Sequence, residues 1–152
     1  MSCDDAPLAS AAECLFASLE RMQRENPGAP VAVISGGEIL CPVTGDGRGG
    51  RNQAFVLHAV ERIAGKAAAV LSAGTDGVDG NSPAAGAVAD GETLARAREM
   101  KVLDPSAPGL RASPADYFRR SDSFSFFSAL DDTLMTGPLE NNLRDLRLLL
   151  AR

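Results

Sequence analysis

Apolar residues recur along this chain in two rhythms, and the rhythms predict its elements. Leu8, Ala12, Leu15, Leu19 and Met22 fall on one face at helical spacing. They predict a first helix that opens at Asp5-Ala6-Pro7, with Asp5 as its cap and Pro7 in the first turn, and stops at Asn26-Pro27-Gly28. Val31-Ala32-Val33-Ile34 is a short unbroken apolar run, which predicts a buried strand. Glu38 to Val43 predicts a shorter strand, and Pro42 makes it an edge or irregular strand because proline has no backbone donor. A helix is expected from about Asn52 to Ala64 on Phe55, Val56, Leu57, Ala59, Val60 and Ile63. Ala67 to Ser72 reads as a second buried strand. Ala84 to Ala89 is so small in side-chain size that backbones should approach closely there.

Asp90-Gly91-Glu92-Thr93 leads into an expected helix from Leu94 to Met100. Leu103 to Pro114, with its prolines and a glycine, reads as a connector, and Pro114 to Arg119 as a short helix. Ser121-Asp122-Ser123 supplies capping side chains ahead of Phe124, Phe126, Phe127 and Leu130, which predicts a core helix. Leu134-Met135-Thr136 is a brief strand ended by Gly137-Pro138. Asp145 to Ala151 alternates poorly but is rich in leucine, and it reads as a terminal strand. Strands and helices alternate, so the expected fold is α/β: a three-layer α/β/α sandwich on a mostly parallel or mixed sheet.

Composition narrows the classes. The 152 residues suit one domain with a sizeable core, and 45% hydrophobic with 23% charged residues describes an ordinary globular protein. The net charge of −5 and the lack of a basic run argue against a nucleic-acid partner. No apolar run reaches membrane-spanning length, and the N-terminus shows no signal-peptide pattern. Cys3, Cys14 and Cys41 form no metal-like pair and fit reduced thiols in a cytoplasm. The single histidine, His58, has no nearby partner and reads as packing or surface.

Candidate chemistry gathers in two glycine-rich stretches. Ser35-Gly36-Gly37-Glu38 is followed by Gly45-Asp46-Gly47-Arg48-Gly49-Gly50-Arg51-Asn52-Gln53, which runs into the expected helix. Free amides at a helix start attract anions, and Arg48 and Arg51 add forked cationic donors. The alternative is a surface turn with two solvated arginines. The second stretch, Ala73-Gly74-Thr75-Asp76-Gly77-Val78-Asp79-Gly80, follows a strand end, where ligands collect in open α/β sheets. Asp76 and Asp79 suit a divalent cation or a ligand hydroxyl; the alternative is an Asx-turn loop with solvated carboxylates.

These blocks together resemble the MOFRL domain. Ser35-Gly36-Gly37-Glu38 with Gly49-Gly50-Arg51-Asn52-Gln53 resembles its GGE…GGRNQE signature, and Ser72 to Gly80 with Ala84-Ala85-Gly86-Ala87 its SAGTDGxDG…AAGA block. Asp122 to Phe127 and Thr136-Gly137-Pro138 match its later DSxxFF and TGP elements in order. The resemblance spans about Val31 to the C-terminus, after a leading helix in residues 1–28. That domain is the C-terminal part of the glycerate 2-kinase family, whose members often carry the name hydroxypyruvate reductase. The resemblance implies ATP- and Mg²⁺-dependent phosphorylation of D-glycerate in a cleft between two domains. It makes Arg51 the active-site arginine and Asp76 the aspartate of the GTDG block. It adds Asn142 from the final loop. The residues themselves suggest Gly49, Gly50, Asn52 and Arg48 around the substrate or phosphate, and Asp76 and Asp79 as metal ligands or acceptors from the substrate hydroxyl.

The chain departs from the family in three ways. The N-terminal kinase domain with the family's active-site lysine is absent, so the chain is expected to work only with that domain, or to self-associate. Ala54 stands where the family usually has glutamate. The TGPTGTN loop reads Thr136-Gly137-Pro138-Leu139-Glu140-Asn141-Asn142, with a carboxylate where anion binding is expected. Two other readings remain open: a non-catalytic binding module, and an NAD(P)-dependent hydroxypyruvate reductase. The latter leans on Gly45-x-Gly47-x-x-Gly50, which formally matches a dinucleotide fingerprint.

Overall fold

The computed structural model describes residues 4–104, 106, 112–140 and 142–152. Cys3, Asn141 and part of the expected connector lie outside the described residues. The elements follow the sequence rhythm closely. They are β1 (Ala6–Pro7), α1 (Leu8–Glu25), β2 (Val31–Gly36), β3 (Ile39–Leu40), α2 (Arg51–Ile63), β4 (Ala68–Gly74) and β5 (Gly86–Asp90). Then come α3 (Thr93–Glu99), α4 (Pro114–Arg119), α5 (Ser123–Ala129), β6 (Thr133–Leu134) and β7 (Asp145–Ala151).

The α/β class holds, and the sheet is antiparallel where a mostly parallel or mixed one is expected. The five-stranded sheet has the order β2-β7-β4-β5-β6, and every neighbouring pair is antiparallel. The parallel contact is a two-residue pairing of β1 with β3 outside that sheet. β2, α2 and β4 do form a parallel crossover, as the alternation implies. The last strand, β7, then inserts between β2 and β4 and runs against both. The link from β4 to β5 holds no helix, and so short a connection does not return a strand in parallel.

The helices cover one face of this sheet. α1 packs on β2 and β7, α2 on β4 and β5, and α3, α4 and α5 pack against α2. Strand burial alternates accordingly. Val31, Val33, Val70, Ala87, Ala89, Leu149 and Ala151 point into the core with Leu15, Phe16, Phe55, Val56 and Val60. On the other face Ile34, Leu146 and Leu150 are exposed. The second helical layer of the expected α/β/α sandwich is therefore not formed by the described residues. Its place is an open apolar sheet face.

Local chemistry explains the element ends. Asp5 does not cap α1. It sits in the left-handed region at φ 57°, and its N–H donates to the Glu38 carbonyl at 2.8 Å, which starts the β1–β3 contact; Pro7 takes the cap position. β3 covers only Ile39–Leu40 of the expected Glu38 to Val43 and lies outside the five-stranded sheet, in keeping with the irregular or edge strand that Pro42 implies. Ser113 and Asp116 form a capping box at α4. Phe126 and Phe127 of α5 are fully buried, edge-to-face at 5.1 Å, so α5 is a core helix. Gly86 in the small-residue run is required by packing, since a Cβ there would overlap the Ser72 carbonyl oxygen of β4.

Leu149 lies on the central strand and is fully buried. Leu149→Ala is expected to destabilise the fold by about 2–5 kcal/mol, from lost transfer energy plus a cavity. Urea unfolding with an unchanged m-value checks this.

Candidate functional site

The start of α2 is closed by a carboxylate from another loop. Gly50 takes the cap position with an extended backbone and offers no side chain. Asp79, 2% exposed, fills the place instead. Its Oδ1 accepts from the Asn52 N–H at 3.0 Å and from Asn52 Nδ2 at 3.3 Å. Its Oδ2 accepts from the Gln53 N–H at 2.8 Å and from Gln53 Nε2 at 3.0 Å. A negative group at this end also meets the favourable end of the helix dipole. A Cβ at Gly50 would collide with Asp79, so glycine is needed there for the carboxylate to approach. Burial pushes the Asp79 carboxyl up from its ordinary value, against the pull of its four hydrogen bonds in the other direction.

A second buried carboxylate anchors the arginine that precedes this pair. Asp145, at the start of β7, is 2% exposed. It accepts from Arg51 Nε at 2.7 Å and Nη2 at 3.1 Å, a two-point grip that fixes the guanidinium plane. It also accepts from Asn52 Nδ2 at 3.0 Å and from Arg147 Nη2 at 2.8 Å. Arg147 is completely buried, donates to the Gly37 carbonyl at 2.9 Å and lies over the Phe55 ring at 5.6 Å. The Ser72 hydroxyl donates to Asn52 Oδ1 at 2.6 Å. Glu38 pairs with Arg51 Nη2 at 3.0 Å from the solvent side. Arg51 stays charged, its pKa raised first by the Asp145 hydrogen bond.

Beside this network opens a cleft of about 710 Å³. Arg51, Gly49, Gly50, Asp76 and Asp79 border it, and Ile39, Leu40, Pro42, Val43, Val78 and Phe118 make an apolar wall. Cys41 lines it too, its thiol pushed up by burial and then by the Asp79 charge. Cys41 is a free thiol. His58 is exposed, its ring 6.0 Å from that of Phe118.

The sequence-predicted residues thus separate. Arg51 and Asp76 reach the cleft. Asn52 is buried beneath it, holding both carboxylates. Asp76 Oδ1 accepts the Val78 N–H at 3.1 Å, an Asx turn. Arg48 is exposed, stacks on Phe124 at 4.7 Å and does not border the cleft. Asn142 is exposed, and its Oδ1 accepts from the Arg144 N–H at 3.2 Å. Its loop is tied to the Asp76 loop, because the Leu143 N–H donates to Thr75 Oγ1 at 2.8 Å.

Two expectations change on this geometry. Asp79 is spent on four donors, so it has no oxygen to offer a metal. No group of three or more metal-binding side chains occurs among the described residues. The anion nest at the start of α2 is likewise filled from within, because the Asn52 and Gln53 amides already serve Asp79. The Gly47 N–H goes to the Arg120 carbonyl and the Gly49 N–H to Asn81 Oδ1. The dinucleotide fingerprint needs that helix end free for a pyrophosphate, and here it is closed.

The match to known proteins agrees with the blocks that meet here. The MOFRL family model matches residues 31–145. The chain belongs to the MOFRL family. It is 38% identical over 118 residues to the D-glycerate 2-kinase of Thermotoga maritima, covering 77% of this chain and 26% of that protein. It is also 38% identical over 124 residues to a protein of Agrobacterium vitis provisionally named hydroxypyruvate reductase, covering 80% and 30%. The crystal structure of the Thermotoga maritima glycerate kinase superposes with a TM-score of 0.82 at 31% identity, over 100% of this chain and 35% of that one. The chain thus spans about a quarter to a third of the length of the relatives it matches.

Within the MOFRL fold, sequence reasoning missed Asp145, Arg147, Ser72 and Ser82, whose hydroxyl oxygen accepts from Gln53 Nε2 at 2.7 Å. The signal was present in β7: Asp145 and Arg147 share the parity of Leu149 and Ala151, the core face, while Leu146, Leu148 and Leu150 take the other. Charges inside and leucines outside invert the usual strand pattern.

Inorganic phosphate is expected to leave the Asn52 and Gln53 amides unshifted in an NMR titration of the wild-type chain. In Asp79→Ala the same amides are expected to shift with millimolar phosphate, at a stability cost of about 3 kcal/mol or more from orphaned buried donors. Wild-type shifts as large as the variant's would contradict the internal cap.

Proposed function

We propose that this chain is the C-terminal domain of a D-glycerate 2-kinase, contributing to ATP-dependent phosphorylation of D-glycerate together with an N-terminal kinase domain. The observation that carries this reading is Arg51. Its guanidinium is gripped by Asp145 and steadied by Glu38, yet it borders the cleft and is 36% exposed. Nε and Nη2 are engaged, and the remaining Nη1 edge is left for a ligand. Phosphoryl transfer depends on positioning and on charges placed before the reaction starts. A fixed arginine of this kind suits either the transferring phosphoryl group or the glycerate carboxylate.

Asp76 is the carboxylate assigned to Mg²⁺. One carboxylate fits an ion that arrives on nucleotide phosphates, because Mg²⁺ keeps several waters and takes few protein ligands. When bound, the ion neutralises phosphate charge. Gly49 and Gly50 border the cleft beside Arg51, and the space left by their missing side chains is taken by Ser123 and Asp79. Asn142 acts through its own loop, whose Leu143 N–H donates to Thr75 Oγ1 beside the Asp76 turn. Arg48 contributes surface charge and Asn52 orients Asp79 and Asp145. No described helix is long and apolar enough to cross a membrane. We place the protein in the cytoplasm, which the odd number and wide spacing of its cysteines favour.

The chain alone is expected to release no ADP from ATP, Mg²⁺ and D-glycerate in a coupled assay. Supplying the N-terminal part of the Thermotoga maritima relative is expected to restore turnover, which Arg51→Ala then lowers on the order of 10²–10³-fold, the usual loss for one charge-stabilising donor. Turnover by the chain alone above the Arg51→Ala background contradicts the need for a partner. Failure to respond to that domain favours the non-catalytic module. A nicotinamide-dependent signal with hydroxypyruvate favours the reductase.

A further inference from the structure

The core face of the sheet changes character toward the cleft. Val33, Leu149 and Val70 form one cross-strand row on β2, β7 and β4, and all three are buried. The next row on that face is Ser35, Arg147 and Ser72, each fully buried. Beyond it Asp145 pairs with Gly74 at the end of β4. An arginine thus stands on the central strand where the row behind it carries a leucine.

Stability does not account for this arginine, because a buried ion pair often adds nothing over apolar packing of similar volume. Its contacts point to the cleft instead. Nη2 donates to Asp145 Oδ2 at 2.8 Å, the same oxygen that accepts from Arg51 Nε at 2.7 Å. Nη1 donates to the Gly37 carbonyl at 2.9 Å, one residue before Glu38, which pairs with Arg51 Nη2 at 3.0 Å. Arg147 therefore stands behind both carboxylates that hold Arg51, one through its side chain and the other through the backbone.

We propose that Arg147 is a positioning residue for Arg51, acting through Asp145. The inference rests on the kinase reading for what Arg51 meets in the cleft. Asp145 carries one negative charge and faces two guanidiniums. The buried one is its fixed counter-ion, so the grip on Arg51 does not cancel the charge that Arg51 presents at the rim. Without the Arg147 charge, Asp145 falls back on Arg51 as its counter-ion and loses the contact that fixes its own carboxylate plane.

Solvent exchange of the Arg51 Nε–Hε proton tests this, followed by NMR in the full chain and assigned from Arg51→Lys. In the wild type this proton is expected to exchange slowly, because a buried carboxylate accepts it. Arg147→Gln keeps an amide donor and removes the charge, and exchange is expected to rise about tenfold or more, as for loss of one charge-assisted hydrogen bond. Arg147→Lys keeps the charge but has one nitrogen for two acceptors, and its rate is expected to fall between. The Arg120 Nε–Hε proton, donated to the Asp116 carbonyl at 3.3 Å, is expected to exchange alike in all three proteins, which a general loosening of the fold would not allow. Cooperative thermal melting confirms that each variant is folded. Should Arg147→Gln fail to fold, Arg147→Lys carries the test. A folded Arg147→Gln with the wild-type Arg51 rate overturns the proposal, as does an equal rise at Arg120, or a wild-type rate in Arg147→Lys where that is the variant that folds. With the N-terminal domain supplied, Arg147→Gln is expected to lower turnover toward the Arg51→Ala level, and full turnover with a loosened Arg51 also overturns the proposal. A wild type that never turns over strikes the kinase reading alone, because the exchange rates still decide whether Arg147 sets Arg51.

Discussion

The closure of α2 by Asp79 is the constraint on which the rest of the site depends. A helix start leaves backbone donors without partners, and in a buried location they must be met. Here the partner comes from a loop 26 residues further along the chain. One carboxylate therefore fixes the glycine stretch, the start of α2 and the loop after β4 relative to each other. Several sequence features follow from it. Gly50 must lack a side chain because Asp79 comes so close, and Gly80 because its Cβ would strike Gly49. Asn52 and Gln53 use both backbone and side-chain amides on the same carboxylate. The strict wording of the two glycine-rich blocks is the wording of one joint.

Asp145 extends that joint to the sheet. Buried ions are expensive, and an ion pair inside a protein often adds little net stability over apolar packing. What this network secures is orientation. Asp145 binds Arg147, which is completely buried, and Arg51, which is not. The first arginine locks the carboxylate to the core, and the second carries that rigidity to the cleft rim. An arginine on a free loop would lose side-chain freedom each time it met a ligand. Arg51 has already lost most of it.

Helices and strands were legible in the sequence because their signals are local. The 3.6-residue rhythm of α1 and α2 and the apolar runs of β2 and β4 are read within single windows. Strand order was not legible. β7 pairs with β2 and β4 across more than 70 residues, and no local rhythm reports the direction of a distant neighbour. Asp5 was misread for a related reason: a cap preference within one turn lost to a strand contact with Glu38, 33 residues away. In the site, Arg51 and Asp76 stood out by residue type and by resemblance. The same criteria picked Asp79 for a metal and Arg48 for an anion. Neither assignment accounted for the partners that the fold brings, four amide donors for the one and the Phe124 ring for the other.

β7 also shows why an apparently poor pattern was informative. A strand with charges at Asp145 and Arg147 and leucines between them has two possible readings. Either the charges face water and the leucines face the core, or the charges are buried in pairs and the leucines look outward. The first is the commoner arrangement in half-buried strands, yet Leu149 and Ala151 share parity with the charges and belong to the core. Once Asp145 and Arg147 are enclosed by Arg51, Asn52 and Phe55, the outward leucines are a necessity of geometry, because successive side chains on a strand must alternate. The polar joint at the cleft and the apolar sheet face are thus two sides of one strand. The structure that fixes Arg51 also obliges this chain to turn a row of leucines outward.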